Sequence, residues 1–175
     1  MIKEIEFNGK YYPHFEAEGF CAKYIFPVAM EVCQGKGYDI GCNKKEWALP
    51  KSIPIDLTLD DKWSALNLPD EMVDYIFSSH CLEHVDNWVD VLNYWISKLK
   101  TYGTLFLYLP HYNQEYWRTW NNRKHKHNLS PELITDFLKS TRKIHKIHSS
   151  EMDINHSFVV MCERNGALHN SEENK

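Results

Sequence analysis

An α/β fold built on a mostly parallel sheet is predicted by three observations. Short apolar runs (Tyr38–Gly41, Ile53–Ile55, Val73–Phe77, Thr104–Leu109) alternate with stretches whose apolar residues recur at helical spacing, and such alternation implies parallel pairing. The first run ends in Gly37-Tyr38-Asp39-Ile40-Gly41-Cys42-Asn43, where Gly41 opens a tight turn that lets backbone approach a ligand. The second run ends in Asp56, fifteen positions after Gly41. A carboxylate at that strand tip is where a nucleotide ribose is gripped through its two hydroxyls. The same residues also suit a β-turn followed by a solvated aspartate, and one glycine does not separate the two readings.

Composition sets the frame. A chain of 175 residues is long enough for one domain with a proper core, and 43% apolar residues is ordinary for a globular protein. A net charge of −4 gives no general attraction to nucleic acid or to an anionic membrane. No apolar run approaches the roughly 20 residues of a membrane span, and Met1-Ile2-Lys3-Glu4 lacks a signal peptide's apolar core. Cys21, Cys33, Cys42, Cys81 and Cys162 are odd in number and dispersed, mostly within apolar runs. They read as the reduced core thiols of a cytoplasmic protein rather than as a disulfide framework.

Residues 1–20 read as an irregular aromatic segment carrying Phe7, Tyr11, Tyr12, Phe15 and Phe20. Tyr24, Ile25, Val28, Ala29 and Val32 suit one helical face, which Gly35–Gly37 would end. The helix between Gly41 and Asp56 has little room and must be short or degenerate. Residues 57–70 are polar and leave space for a short third strand. Val73–Phe77 reads as a buried strand. Val85, Trp88, Val89, Leu92, Trp95, Ile96 and Leu99 then repeat at three and four, an amphipathic helix. Lys98 and Lys100 in its last turn, with Gly103 beyond, are stop signals. Thr104–Leu109 is a strongly apolar strand ended by Pro110. His111–Leu129 breaks the pattern with aromatic and cationic residues after a strand's C-terminal end, where ligands bind in open α/β sheets. It reads as a substrate-binding insertion. Ser130 is an N-cap with Pro131 at the first helical position. Lys143–Ser149 and Ser157–Glu163 read as two closing strands joined by a short polar loop.

From about Gly35 to Arg164 the chain resembles class I S-adenosylmethionine-dependent methyltransferases, of the small kind found among surface-glycan and small-molecule modifiers. Asp39-Ile40-Gly41-Cys42 is similar to the cofactor loop and Asp56 to the ribose acid. Tyr75-Ile76-Phe77-Ser78-Ser79-His80-Cys81-Leu82-Glu83-His84-Val85 resembles the fourth strand and the helix start after it. Asn43 and Lys44 stand where the family carries further glycines, and Asn tolerates left-handed backbone. The resemblance implies a single Rossmann-like domain: a mostly parallel central sheet, helices on both faces and an antiparallel C-terminal hairpin. Residues 1–34 would cover the cofactor site, 35–164 form the core with the insertion at 111–129, and 165–175 form a disordered tail. Asp39, Gly41, Cys42, Asn43, Asp56 and Leu57 would hold S-adenosylmethionine, with Leu66 beside the adenine and Ser79 and His80 beside the methionine part. Tyr12, in the leading segment, would touch the cofactor or else anchor a loop onto the core.

Methyl transfer from a sulfonium needs alignment more than covalent help, and an oxygen or amine acceptor gains from a base. The candidate bases are His111, His125 and His84. Tyr112, Tyr116, Trp117, Arg118, Arg123 and His127 are the candidate substrate contacts, suited to a sugar ring, a phosphate or a nucleotide diphosphate. The expected function is transfer to oxygen, ahead of nitrogen, of a small molecule in polysaccharide biosynthesis, by a monomer or homodimer, with S-adenosylhomocysteine as product. The alternative is a non-catalytic relative of the same fold, motivated by the glycine-poor loop. His80-Cys81-Leu82-Glu83-His84 also spells the His-x-x-Glu-His of inverted zinc peptidases. Its position across a strand-to-helix turn argues against that reading, and no metal is expected, since the sulfonium itself supplies the electrophile.

Overall fold

The computed structural model describes residues 4–166, the side chain of Glu16 excepted; the expected tail from 167 onward lies outside the described residues. Glu4–Phe7 (β1) and Lys10–Pro13 (β2) pair antiparallel as a separate two-stranded sheet. Asn8 and Gly9, at φ 51° and 72°, make the turn between them. Asn-Gly is the residue pair that a two-residue hairpin turn with positive φ demands, so the segment read as irregular is a hairpin. A five-residue helix, His14–Glu18 (α1), and a longer one, Ala22–Val32 (α2), follow.

The main sheet has six strands: Gly37–Ile40 (β3), Ile53–Ile55 (β4), Val73–Ser79 (β5), Leu99–Pro110 (β6), Ile144–Ser149 (β7) and Ser157–Arg164 (β8). Their order is β4-β3-β5-β6-β8-β7. The pairs among β3, β4, β5 and β6 are parallel, and β8 pairs antiparallel with β6 and β7. Pro54 sits in β4, an edge strand, where its missing N–H costs no ladder bond.

Period-2 alternation sends each strand's side chains to two cores. Tyr38, Ile40, Ile76, Leu105, Leu107, Leu109, Phe158 and Val160 face one side. There they meet Trp88–Lys98 (α3) through Val91, Leu92, Trp95 and Ile96, and Pro131–Ser140 (α4) through Ile134 and Leu138. Tyr75, Phe77 and Phe106 face the other side and meet Ala22, Ala29 and Cys33 of the α2 region. Helices therefore cover both faces. α4 is capped as expected, Ser130 Oγ accepting from the Leu133 N–H at 3.1 Å. All five cysteines are free.

Three boundaries differ from expectation. No third strand forms at 57–70 among the described residues; Ser64 and Asn67 make an isolated bridge, and the Trp95 indole N–H holds the turn by donating to the Ala65 carbonyl at 2.8 Å. The helix expected from Val85 starts at Trp88, because Asn87 caps it by accepting from the Asp90 N–H. It stops at Lys98, and Lys100 lies in β6, paired with Asp74 at 2.8 Å.

Candidate active site

The chain runs from β3 outward to β4 and then returns across β3 to β5, so the strand order reverses between β3 and β5. The crevice outside the strand C-termini at such a point is where open α/β sheets bind ligands. A cavity of about 480 Å³ opens there, within the roughly 300–1,000 Å³ of small-molecule sites.

One wall is the loop after β3. Gly41 has φ 88°, and a Cβ on it would stand 2.4 Å from Cys81 Cβ and 2.6 Å from its Sγ. The loop passes so close to the turn after β5 that only glycine fits. Asn43 follows at φ 63°, the left-handed conformation its short polar side chain tolerates. Asp56 at the tip of β4 clasps this loop: one oxygen accepts from the Asn43 N–H at 2.8 Å and the other from the Thr58 N–H and Oγ1, each at 2.9 Å. A carboxylate offers about four acceptor directions, so three donors leave one for a ribose hydroxyl. The site fits a nucleoside, with a single hydrogen bond from Asp56 rather than two. Asp56 thus has a fold role that the sequence did not suggest.

Asp39 points away from the cavity. It is 1% exposed and accepts from the Leu49 N–H at 2.6 Å; burial pushes its carboxyl up to about 7. It pins the single turn Lys45–Trp47, a 3-10 helix that replaces the helix between loop and acid. Cys42 is also buried, and burial pushes its thiol up to about 12. Ser79 faces α2, its hydroxyl buried without a hydrogen-bond partner among the described residues. Leu57 and Leu66 are both exposed, Leu66 in the bridged turn. Tyr12 is fully buried beneath the insertion: its ring meets Tyr116 and His156, and its hydroxyl accepts from the Glu115 N–H at 3.3 Å. The N-terminal hairpin covers the insertion and leaves Tyr12 off the cavity wall.

The opposite wall joins the turn after β5 to the insertion. His80, at φ 48°, breaks the strand. Leu82–His84 form one 3-10 turn, so His80 and His84 do not share a helical face. Glu83 in this turn is 0% exposed. His80 Nδ1, His84 Nε2 and His125 Nε2 each stand 3.8 Å from its Oε1. Burial pushes the Glu83 carboxyl up to about 8 and the His125 imidazole down to about 4, and it lowers His80 and His84 as well. The His125 ring stacks on Trp117 at 5.4 Å between centroids and meets His84 edge-on at 4.6 Å. Glu83 was spelled in the motif but not singled out. Its signal was a carboxylate within an apolar frame, Leu82 to Val85.

The insertion divides. Trp117, Lys124 and His125 line the cavity with His84. Tyr112 and Arg118 line a separate, more open hollow of about 510 Å³ with Glu132. Arg123 is exposed, and Tyr116 sits under the hairpin. His127 is a tie, its Nε2 2.9 Å from the Val85 carbonyl. His111 is off the cavity as well: its ring lies between Tyr112 and Phe158, and its Nδ1 accepts from the Asn113 N–H at 3.1 Å.

With this geometry in view, residues 22–107 match the family described as a methyltransferase domain. The fold is similar to that of a SAM-dependent methyltransferase from Archaeoglobus fulgidus, at TM-score 0.60 and 16% identity, covering 86% of this chain and 99% of that one. It is similar to a SAM-dependent methyltransferase of Thermotoga maritima, described as a possible histamine N-methyltransferase (TM-score 0.62, 16% identity, 87% and 93% covered). It also resembles the N-methyltransferase NodS of Bradyrhizobium japonicum, solved with S-adenosylhomocysteine (TM-score 0.54, 14% identity, 86% and 87% covered). No curated protein matches. At these identities the structural likeness carries the fold. Together with the methyltransferase-domain match over residues 22–107, it supports a class I S-adenosylmethionine-dependent methyltransferase. No helix among the described residues is long and apolar enough to cross a membrane.

Proposed function

We propose that the enzyme methylates an oxygen of a small, hydroxyl-bearing molecule, in the class of sugars, phosphates and nucleotide-linked precursors of a surface polysaccharide. One observation supports this most: the cofactor loop and the histidine wall line the same cavity. When bound, the cofactor supplies an activated methyl group on a sulfonium sulfur. The chain's residues then have three tasks. Gly41, Asn43 and Asp56 hold the nucleoside end. Trp117 offers a flat face to a sugar or base, and Lys124 a charge for a phosphate. His84 or His125 takes the acceptor's proton as its oxygen bonds to the methyl carbon and the carbon–sulfur electrons pass to sulfur. His84 suits this best: its side chain is 37% exposed, and its Nδ1, 2.9 Å from the Lys124 carbonyl, is held as the N–H. Nε2 is then left with the lone pair. A neutral amine needs less help from a base, which places oxygen ahead of nitrogen.

The test is a set of hydroxyl- and amine-bearing acceptors, including free sugars and nucleotide sugars, incubated with S-adenosylmethionine and read by mass spectrometry. Gain of one methyl group on a hydroxyl acceptor supports the proposal. Transfer to amines alone overturns the choice of oxygen.

A further inference from the structure

Glu83 presents a chemical problem that methyl transfer does not solve. Its carboxylate is fully buried, and neither oxygen has a hydrogen-bond partner among the described residues. Burying such a group without donors is costly, and proteins do so where it is paired or bound to a metal. The main chain around it is fixed. The Lys126 N–H donates to the Glu83 carbonyl at 2.8 Å, and Lys126 Nζ pairs with Asp86 at 2.6 Å.

Around this carboxylate the imidazoles are held from outside. His84 Nδ1 lies 2.9 Å from the Lys124 carbonyl, His80 Nε2 lies 2.9 Å from Ser157 Oγ, and the His125 ring stacks on Trp117 at 5.4 Å between centroids. One nitrogen of each ring turns toward Glu83 Oε1 at 3.8 Å, beyond hydrogen-bond distance. Outer partners that fix the ring and leave one nitrogen inward are the usual supports of metal-binding histidines. One ligand atom each from Glu83, His84 and His125 lies within 4.8 Å of the others.

The structure assigns to Glu83, His84 and His125 a binding site for a divalent transition-metal ion of the zinc type, with His80 beside it. Bonds of about 2.0–2.2 Å put neighbouring tetrahedral ligands about 3.3–3.6 Å apart, so each imidazole at 3.8 Å from the carboxylate needs to close by about 0.2–0.5 Å, and the two imidazoles, within 4.8 Å of each other, by at most about 1.5 Å. Two nitrogens and one oxygen suit zinc, and disfavour magnesium, which takes oxygen ligands in octahedral geometry. Three protein ligands leave a position open, and His84 and His125 line the cavity, so that position faces the acceptor. This role rests on the methyl-transfer reading: the ion would bind the acceptor hydroxyl and lower its pKa, so that His84 and His125, the proton acceptors of the metal-free chain, would act through the ion when it is bound. The inference departs from the expectation that no metal is needed. The His-x-x-Glu-His spelling would pair His80 with His84, whereas these ligands come from one 3-10 turn and the insertion.

The experiment is calorimetric titration of Zn²⁺ into untagged, chelator-treated protein, with S-adenosylmethionine titrated separately into the same preparation. One Zn²⁺ per chain is expected. Glu83→Gln, close to isosteric, and His84→Ala, at a half-exposed position, should each weaken it at least about 100-fold. The absence of one-to-one zinc binding overturns the site, as does binding that both variants leave unchanged. Cofactor binding without zinc refutes the metal site alone. Zinc binding without cofactor binding refutes the methyl-transfer reading and leaves the site standing.

Discussion

Gly41→Ala tests whether the cofactor loop is as tightly fixed as its geometry demands. Two costs arise at one position. The backbone lies at φ 88°, and a left-handed conformation costs an L-residue roughly 1–2 kcal/mol. The new methyl group would also lie 2.4 Å from Cys81 Cβ and 2.6 Å from Sγ, so the loop or the turn after β5 must shift. Overpacking of this kind costs roughly 1–3 kcal/mol. The sum is about 2–5 kcal/mol, which for a chain of this length lowers Tm by roughly 4–20 °C. Urea unfolding of Gly41→Ala, Cys81→Gly and the double variant separates the two costs. Removing the Cys81 side chain should relieve the clash, giving a favourable coupling of about 1–3 kcal/mol, while the backbone cost stays. A single variant within about 0.5 kcal/mol of the parent, or an additive cycle, would refute the close approach.

Asp39 gives a pH-dependent prediction. Its carboxyl titrates near 3.8 when exposed and about 7 in the folded chain, so between these values the folded state holds a proton that the unfolded state has lost. Its contribution to stability therefore falls as pH rises from about 4 to 7, by roughly 3–4 kcal/mol. Asp39→Asn should remove that slope and be the more stable form above pH 7; identical pH profiles from denaturant unfolding would count against it. At the wall of the cavity, His84→Ala and His125→Ala should each cut turnover on a hydroxyl acceptor about 100-fold or more without loss of cofactor binding. His111→Ala should keep turnover within a few-fold; the reverse order in steady-state kinetics would move the base to His111.

Much of this architecture was legible because local signals agreed with it. The apolar runs at Tyr38, Val73 and Thr104 became neighbouring parallel strands, and Ser130-Pro131 started a helix by capping it. The N-terminal hairpin was equally written, as Asn8-Gly9 between alternating residues, yet the aromatic density of the segment hid it. The site was less legible because its residues meet through tertiary contacts. His111 and His125 looked alike in sequence. The chain turns back after Pro110, the His111 N–H donating to the His156 carbonyl at 2.9 Å, which buries one ring; Lys126 tied to Glu83 brings the other to the cavity. Asp39 and Asp56 were both acids at strand tips, but strand alternation sends Asp39 to the α2 side and leaves Asp56 at the loop. Glu83 was the hardest to read, since its burial depends on an insertion forty residues on.

The account rests on a nucleoside held between the Gly41 loop and Asp56. Calorimetric titration of S-adenosylmethionine into the protein and into Asp56→Ala measures this directly. One site per chain is predicted. Asp56→Ala loses one hydrogen bond to a charged group, worth about 1.5–3 kcal/mol, together with its clasp on the Asn43 loop, so affinity should fall at least about tenfold. No binding to the parent protein, or equal affinity in both, would contradict it.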